Sequence, residues 1–420
     1  MPWRLPRRRL ARCRRVLGDR TVERSTADDI VAEAEAELES VNWLSAAAAI
    51  ASISAVGIAL GLGLPLLSVI LERRGVSSSM IGLNAAVAGA ASLAAAALIT
   101  PIAIRLSVRL TMLIAIVLAS LSSVGFYVFT EFWMWFPLRL VFHFAITALF
   151  VLSEFWINAA APPGKRGLVL GIYATVLSLG FALGPWIFSQ VGSQGFLPFG
   201  IGAGVILVSA IPLFLAWNSQ PVIAKDRRQG NFWRYLFAVP TATGAVLIFG
   251  AVEAGGFTLF PVYGERVGFS EAAAAQLLTA VGIGNVLMQI PIGLMSDRVS
   301  DRRSLLSICA GVGLIGTLCL PMLAEDWWLM ACVLFLWGGV VAGLYTVGLA
   351  HLGSRLPAAD LADANAAFIF CYSLGMLVGP QVIGSAMDLF GPSGFAWSLA
   401  LFFAIYLALA LGRLFAAKSA

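Results

Sequence analysis

The chain is short of the groups on which soluble chemistry depends. Only 12% of its 420 residues are charged, and histidine occurs twice, as His143 and His351. A soluble domain carries about a quarter charged residues, so this composition cannot supply a water-facing surface of ordinary kind. There is no HExxH metal pair, no GxSxG nucleophile elbow and no GxxxxGK[ST] phosphate loop. Their absence argues against a metallohydrolase, a serine hydrolase and direct drive by ATP. The five cysteines (Cys13, Cys309, Cys319, Cys332, Cys371) show neither CxxC nor metal-ligand spacing, and four of them lie in apolar runs. They read as small packing residues. No metal or cofactor is expected, and the loops are too short to hold a soluble catalytic domain, so the chain is not read as an enzyme.

What is present is apolar: 60% of the residues are hydrophobic. A core buried in water could not absorb that fraction, and about twenty apolar residues suffice to cross a bilayer. Runs of that length recur at 43–71, 79–103, 110–130, 133–159, 167–190, 196–217, 236–263, 272–295, 305–324, 327–351, 363–387 and 394–412. The pattern predicts an all-α integral membrane protein with twelve helices and one longer loop, residues 218–235. That loop separates two bundles, 43–217 and 236–412. Residues 1–42 form an Arg-rich then acidic tail, and 413–420 a short one.

Lys and Arg favour the cytoplasmic side. With the N-terminus inside, the outer loops hold only Arg73, Arg74 and Arg266, Arg139 lies within a span, and every other Lys and Arg falls inside. Both termini are therefore expected in the cytoplasm, in an inner or plasma membrane. MPWRLPRRRLARCRRVLGDR is not followed by an apolar stretch before Val41, so it does not read as a secretory leader. It reads as a solvated extension that reinforces topology, or else as an interfacial helix with Trp3, Leu5 and Leu10 dipping into lipid.

Two short patterns repeat at nearly one offset. ERRGVS (72–77) ends the first span and ERVGFS (265–270) ends the seventh. Gly180, Gly184 and Pro185 in the fifth span recur as Gly375, Gly379 and Pro380 in the eleventh. Parallel six-helix repeats are a transporter architecture. The chain here resembles the major facilitator superfamily over residues 43–412. Gly171-x8-Gly180-x3-Gly184-Pro185 resembles the superfamily's fifth-helix antiporter motif, with Ile187, Phe188 and Ser189 where a further Gly pair would follow. Gly293-LM-Ser296-Asp297-Arg298 resembles the loop signature between helices 8 and 9, whereas TPIAIRLSVR (100–109) has Ile104 near the place of the matching Asp. Arg139 resembles the Arg of the fourth-helix RxxQG motif, with Phe142 and His143 replacing its Gln and Gly. SEFWIN (153–158) and NAAFIFCYSLGMLVGP (365–380) resemble the YcaD-like branch.

In lipid, Gly and Pro are tolerated within helices, and a GxxxG pair admits a close neighbour. Gly171, Gly180, Gly184 and Pro185, with Gly375, Gly379 and Pro380, are expected to form hinges or seals, so that the fifth and eleventh helices pack tightly and flex against the opposite half. By resemblance, Gly293, Asp297 and Arg298 would latch the cytoplasmic gate against the fifth helix. The resemblance also implies export against protons.

Charges deep in a span are functional candidates by default. Arg139, His143 and Glu154 share one stripe of the fourth helix, and Thr147 lies close to it. Arg139 and Glu154 stand about 22 Å apart and cannot pair. Glu253 in the seventh helix is expected at a depth suited to Arg139, where a carboxyl between dry packing and a guanidinium exchanges a proton as a cavity opens. His143 could join that relay or pack. Asn84, Asn285, Gln289, Trp337, Tyr345 and Gln381 are candidate cavity residues. Trp133, Trp135, Trp327 and Trp328 are expected in the interfacial belt, and His351 near the interface.

The resulting expectation is a monomeric, proton-coupled exporter of a small amphipathic or weakly charged organic solute, working by alternating access. Its partners are the solute, protons and the lipid bilayer, with no nucleic acid. Uptake by proton symport, a lipid flippase and a non-transporting sensor on the same scaffold stay open as alternatives.

Overall fold

The computed structural model describes residues 43–161, 166–217, 219–221, 223, 233–299, 301–357 and 360–418. The expectations for residues 1–42, for most of the 218–235 loop and for Lys165 lie outside them. Among the described residues every regular element is a helix, and twelve are long and apolar enough to span a membrane. In chain order these are α1 (Trp43–Arg73), α2 (Ser78–Leu106), α3 (Val108–Val128), α4 (Trp135–Ala160), α5 (Arg166–Val191), α6 (Leu197–Leu215), α7 (Pro240–Arg266), α8 (Glu271–Arg298), α9 (Arg302–Cys319), α10 (Trp327–Arg355), α11 (Leu361–Phe390) and α12 (Ser393–Lys418). The start of α1 and the end of α12 lie on one side, here the terminal face. The α1–α2 and α7–α8 turns lie on the opposite face.

The repeated ERxGxS hexapeptide is a turn written twice. Gly75 and Gly268 take φ of 76° and 101°, the left-handed conformation that ends a helix at low cost. Ser77 and Ser270 then cap α2 and α8, their hydroxyls accepting from the N–H groups of Met80 and Ala273. The seventh span begins at Pro240 and not at 236. Pro240 occupies the first turn, where its missing N–H costs nothing, and a separate short helix, Trp233–Ala238, precedes it. Two spans are interrupted, α6 at Ser209 and α10 at Ala342, the latter between Gly338-Gly339 and Gly343.

The paired glycines pack within each half. A Cβ at Gly180 or Gly184 would collide with the backbone of α1 at Gly57 and Gly61; one at Gly375 or Gly379 would collide with α7 around Leu247 and Ala251. Their close partners are therefore α1 and α7, not helices of the opposite half. Other residues join the halves. Gly82 and Gly89 of α2 receive the α11 backbone at Pro380 and Leu377, and Gly282 of α8 receives Ala182 of α5. Gly171 and Gly293 have open space where a Cβ would go.

The aromatic belt is narrower than expected. Trp133 and Trp328 are exposed, but Trp135 is fully buried. Its indole donates to the Phe129 carbonyl and its ring lies under the Arg74 guanidinium. Trp327 is half-buried and donates to the Ala273 carbonyl. His351 is buried too, bonded at 3.0 Å to Thr241 of α7.

Candidate functional site

The α4 stripe is internal, but its members do not form a cluster of paired charges. Arg139 is fully buried, and neither Nε nor Nη1 has a hydrogen-bond partner among the described residues. His143 folds back on the same turn, with Nδ1 at 3.2 Å from the Arg139 carbonyl, while Nε2 has no partner among the described residues. Thr147 reaches Ser92 of α2 at 3.0 Å. Glu154 is half-buried near the terminal face, and its backbone carbonyl accepts from Asn158.

Glu253 does not meet Arg139. Instead its carboxylate accepts from the hydroxyl of Tyr372 on α11 at 2.5 Å, and no described cation pairs with it. The seventh helix simply turns this side chain into its own half. Tyr372 stands three residues before Gly375, within NAAFIFCYSLGMLVGP, and is legible there only as part of a motif. Tyr345 packs edge-on against Tyr372, with ring centroids 6.2 Å apart. It lies within electrostatic range of both Glu253 and Glu154.

Glu253 also lines a narrow cleft of about 50 Å³ between α7, α8, α10 and α12. Its walls include Phe249, Phe257, Trp337 and Phe395, and Asn285 is its other polar side chain besides Glu253 and the Trp337 indole. That indole is already committed, donating to the Gly313 carbonyl at 3.1 Å. Of the other cavity candidates, Gln289 accepts from Ser178 of α5 at 3.3 Å, so it bridges the α5–α8 seam. Gln381 donates to Ser385 of its own helix, and its Cα lies beside Gly82 in the α2–α11 seam. Asn84 is fully buried, and neither amide atom has a partner among the described residues.

The two faces of the bundle differ. On the opposite face the repeated Glu-Arg pairs engage reciprocally across the halves. Arg266 holds Glu72 through two bonds of 2.8 and 3.0 Å, and Arg73 reaches Glu265 at 3.5 Å. Arg73 also contacts Glu271, which accepts from Ser193 at 3.0 Å. Asp388, at the end of α11, accepts from the backbone N–H groups of Ser78 and Ser79 at 2.9 and 2.8 Å, capping α2 from the other half. The third arginine of this face, Arg74, donates to the Thr130 carbonyl at 2.8 Å. All three arginines left there by the charge asymmetry are thus engaged.

On the terminal face the loop signature is disengaged. Asp297 is 75% exposed, touches only Arg302 of its own loop at 3.5 Å, and makes no described contact with α5. Arg298 is exposed as well. The expected latch to α5 is therefore not formed among the described residues. Asp301 caps α9 instead. Burial would raise its carboxyl, but the hydrogen bonds and charge of Arg303 outweigh that and hold it below the ordinary carboxylate value. No group of three or more metal-ligating side chains occurs among the described residues.

Residues 43–283 and 257–419 match the Major Facilitator Superfamily. The chain belongs to the major facilitator superfamily. It is similar to the MFS-type transporter YfkF of Bacillus subtilis, at 28% identity over 83% of this chain and 90% of that one. It is also similar to YcaD of Salmonella paratyphi B, at 24% identity over 64% and 69%. The fold matches a mutant form of the nucleoside transporter NupG, with a TM-score of 0.71 at 16% identity, covering 88% of this chain and 98% of that one. It also matches a bacterial homologue of the lysosomal transporter Spinster in an inward-facing, unoccupied conformation, with a TM-score of 0.65 at 15% identity, covering 87% and 94%. This superfamily member is a multi-pass membrane transporter, with twelve spans among its described residues, and not an enzyme.

Proposed function

We propose that this transporter moves a small organic solute by alternating access, coupled to protons through Glu253, and that its export motif sets the direction outward. The terminal face is read as cytoplasmic from the arginine asymmetry, so the conformation described is closed to the outside. The observation that carries the coupling is the Glu253–Tyr372 bond: a carboxyl group inside the spanning region with a hydroxyl partner and no described cation. An ionised carboxylate is costly there. A proton taken from the outside and released inside relieves that cost once in each cycle. Arg139 is assigned no pairing role with Glu253.

The test uses purified protein in liposomes loaded with a pH-sensitive dye and challenged with a panel of amphipathic metabolites and drugs. Solute-driven proton flux in the wild type, lost in Glu253→Gln and kept in Glu154→Gln, is the expected result. Solute counterflow without proton movement in all three proteins would refute the coupling.

A further inference from the structure

The first half carries a groove that the transport reading does not use. It has a volume of about 590 Å³ and lies between α1 and α6. Small residues at helical spacing, Ala51, Ser54 and Ala55, form its α1 wall. On α6 the lining runs from Ile201 through Gly204 and Val208 to Pro212, and a Cβ at Gly204 would meet open space. This is the stretch where α6 is interrupted at Ser209; Pro212 has no N–H to return to the Val208 carbonyl. The Ser209 hydroxyl is already spent on the Ile206 carbonyl at 2.7 Å, while Val208 is exposed. In a spanning segment such an exposed apolar wall meets acyl chains, not water. A second helix alongside would fill roughly 1,300 Å³ over the ~16 Å of α6 concerned, so most of it would stand outside the groove. A single hydrocarbon chain is thin enough to lie within it.

The end of the groove at the terminal face has a fixed cation. Just past Pro212, Trp217 is half exposed. Arg109, in the first turn of α3, lies 3.3 Å above the Trp217 ring and donates to the Trp217 carbonyl through Nη1. The guanidinium is a planar fork of five donors, and this carbonyl is its one acceptor among the described residues. Arg105, on the same face, is exposed. Cations at a membrane surface attract anionic lipids, and an arginine fork matches a phosphate in bidentate fashion. A zwitterionic headgroup brings its own cation beside the phosphate and gains less.

We infer that this groove binds one anionic glycerophospholipid, with an acyl chain along α1 and α6 and its phosphate on Arg109. The apolar groove and the arginine are then two ends of one site. The inference does not depend on Glu253 or on the coupled ion.

Native mass spectrometry tests it. The purified full chain, stripped of lipid in detergent, would be titrated with dioleoylphosphatidylglycerol, dioleoylphosphatidylcholine and dihexanoylphosphatidylglycerol. The first dioleoylphosphatidylglycerol is expected to bind at least fivefold tighter than the first dioleoylphosphatidylcholine. The dihexanoyl lipid, with the headgroup but chains too short for the groove, should bind at least tenfold more weakly than its dioleoyl counterpart. Gly204→Phe, which fills the groove, should lose the tight site. Arg109→Gln should erase the headgroup preference and keep the phosphatidylcholine affinity, and Arg109→Lys should restore part of the preference. Equal binding of the two dioleoyl lipids by the wild type overturns the inference. So does a phosphatidylglycerol preference that survives either Gly204→Phe or Arg109→Gln. If Gly204→Phe fails to fold, the dihexanoyl lipid decides the acyl-chain part in the wild type: binding as tight as the dioleoyl lipid would remove the groove from the site.

Discussion

Asp388→Ala should open the outer seal. The carboxylate accepts two backbone N–H groups at the start of α2, at 2.9 and 2.8 Å, and it belongs to the other half of the molecule. A cap of this kind contributes about 0.5–2 kcal/mol, and the charge at a helix N-terminus adds about 0.3–1 kcal/mol. When the halves separate, water replaces the carboxylate, so part of that sum is recovered in the open state. A net loss of about 1–2 kcal/mol for the closed state follows, which shifts the closed-to-open ratio by a factor of about 5–30. A minor state near 1% would become one of roughly 5–25%. Spin labels at Glu131→Cys and Glu325→Cys, both exposed on the opposite face and in different halves, would report the change as a longer-distance population in a cysteine-free background. An unchanged distance distribution in Asp388→Ala would refute the idea that this cap holds the seal, even if the variant melted earlier. Glu72→Gln should act the same way but more weakly, by about 0.5–1 kcal/mol, because the pair is partly exposed and screened.

Other consequences are equally direct. Gly184→Val would force a branched side chain into the α1 backbone at Gly61 and Leu62; a loss of about 1–3 kcal/mol is expected, read as a lower melting temperature in detergent, and an unchanged melt would contradict the packing. Arg139→Met removes a fully buried guanidinium with two donors that have no partner among the described residues. Since an apolar residue of similar length often serves a buried charged site better by about 1–4 kcal/mol, the variant should melt higher, and a lower melt would mean that Arg139 is held by partners. Asp301 tests pH. Its carboxyl is held below the ordinary value near 4, so its contribution to the α9 cap is complete above that value and is lost as pH falls through the lower, folded-state value. Asp301→Asn should therefore lose stability at pH 6 and show a smaller further loss between pH 5 and 3 than the wild type, measured by thermal unfolding.

The helices are legible in the sequence because in lipid each must be long and apolar, a demand that composition answers without reference to packing. Boundaries shift where local chemistry overrides hydropathy, as at Pro240. The repeat is legible as ERxGxS, but its physical content is not fully so. That Gly75 and Gly268 end helices and Ser77 and Ser270 begin them follows from capping rules. That Glu72 and Arg266 pair across the halves does not, since it depends on the pseudo-symmetry axis placing the two turns side by side. The same gap explains the Arg139–Glu253 expectation. Depth in the membrane follows from position along a helix, but azimuth relative to another helix does not, and Glu253 turns toward Tyr372. The GxxxG pairs are recognisable as close-approach surfaces, yet nothing in the sequence says that α1 and α7 fill them.

One measurement bears on alternating access most directly. Glu72→Cys/Arg266→Cys would be joined across the opposite face by a short, reducible thiol cross-linker, in a cysteine-free background, and transport followed in liposomes for a solute active in the proton-flux panel. Transport is expected to stop on cross-linking and to return on reduction, because the closed seal must part in each cycle. Transport at an undiminished rate through the cross-linked protein would contradict alternating access through this seal.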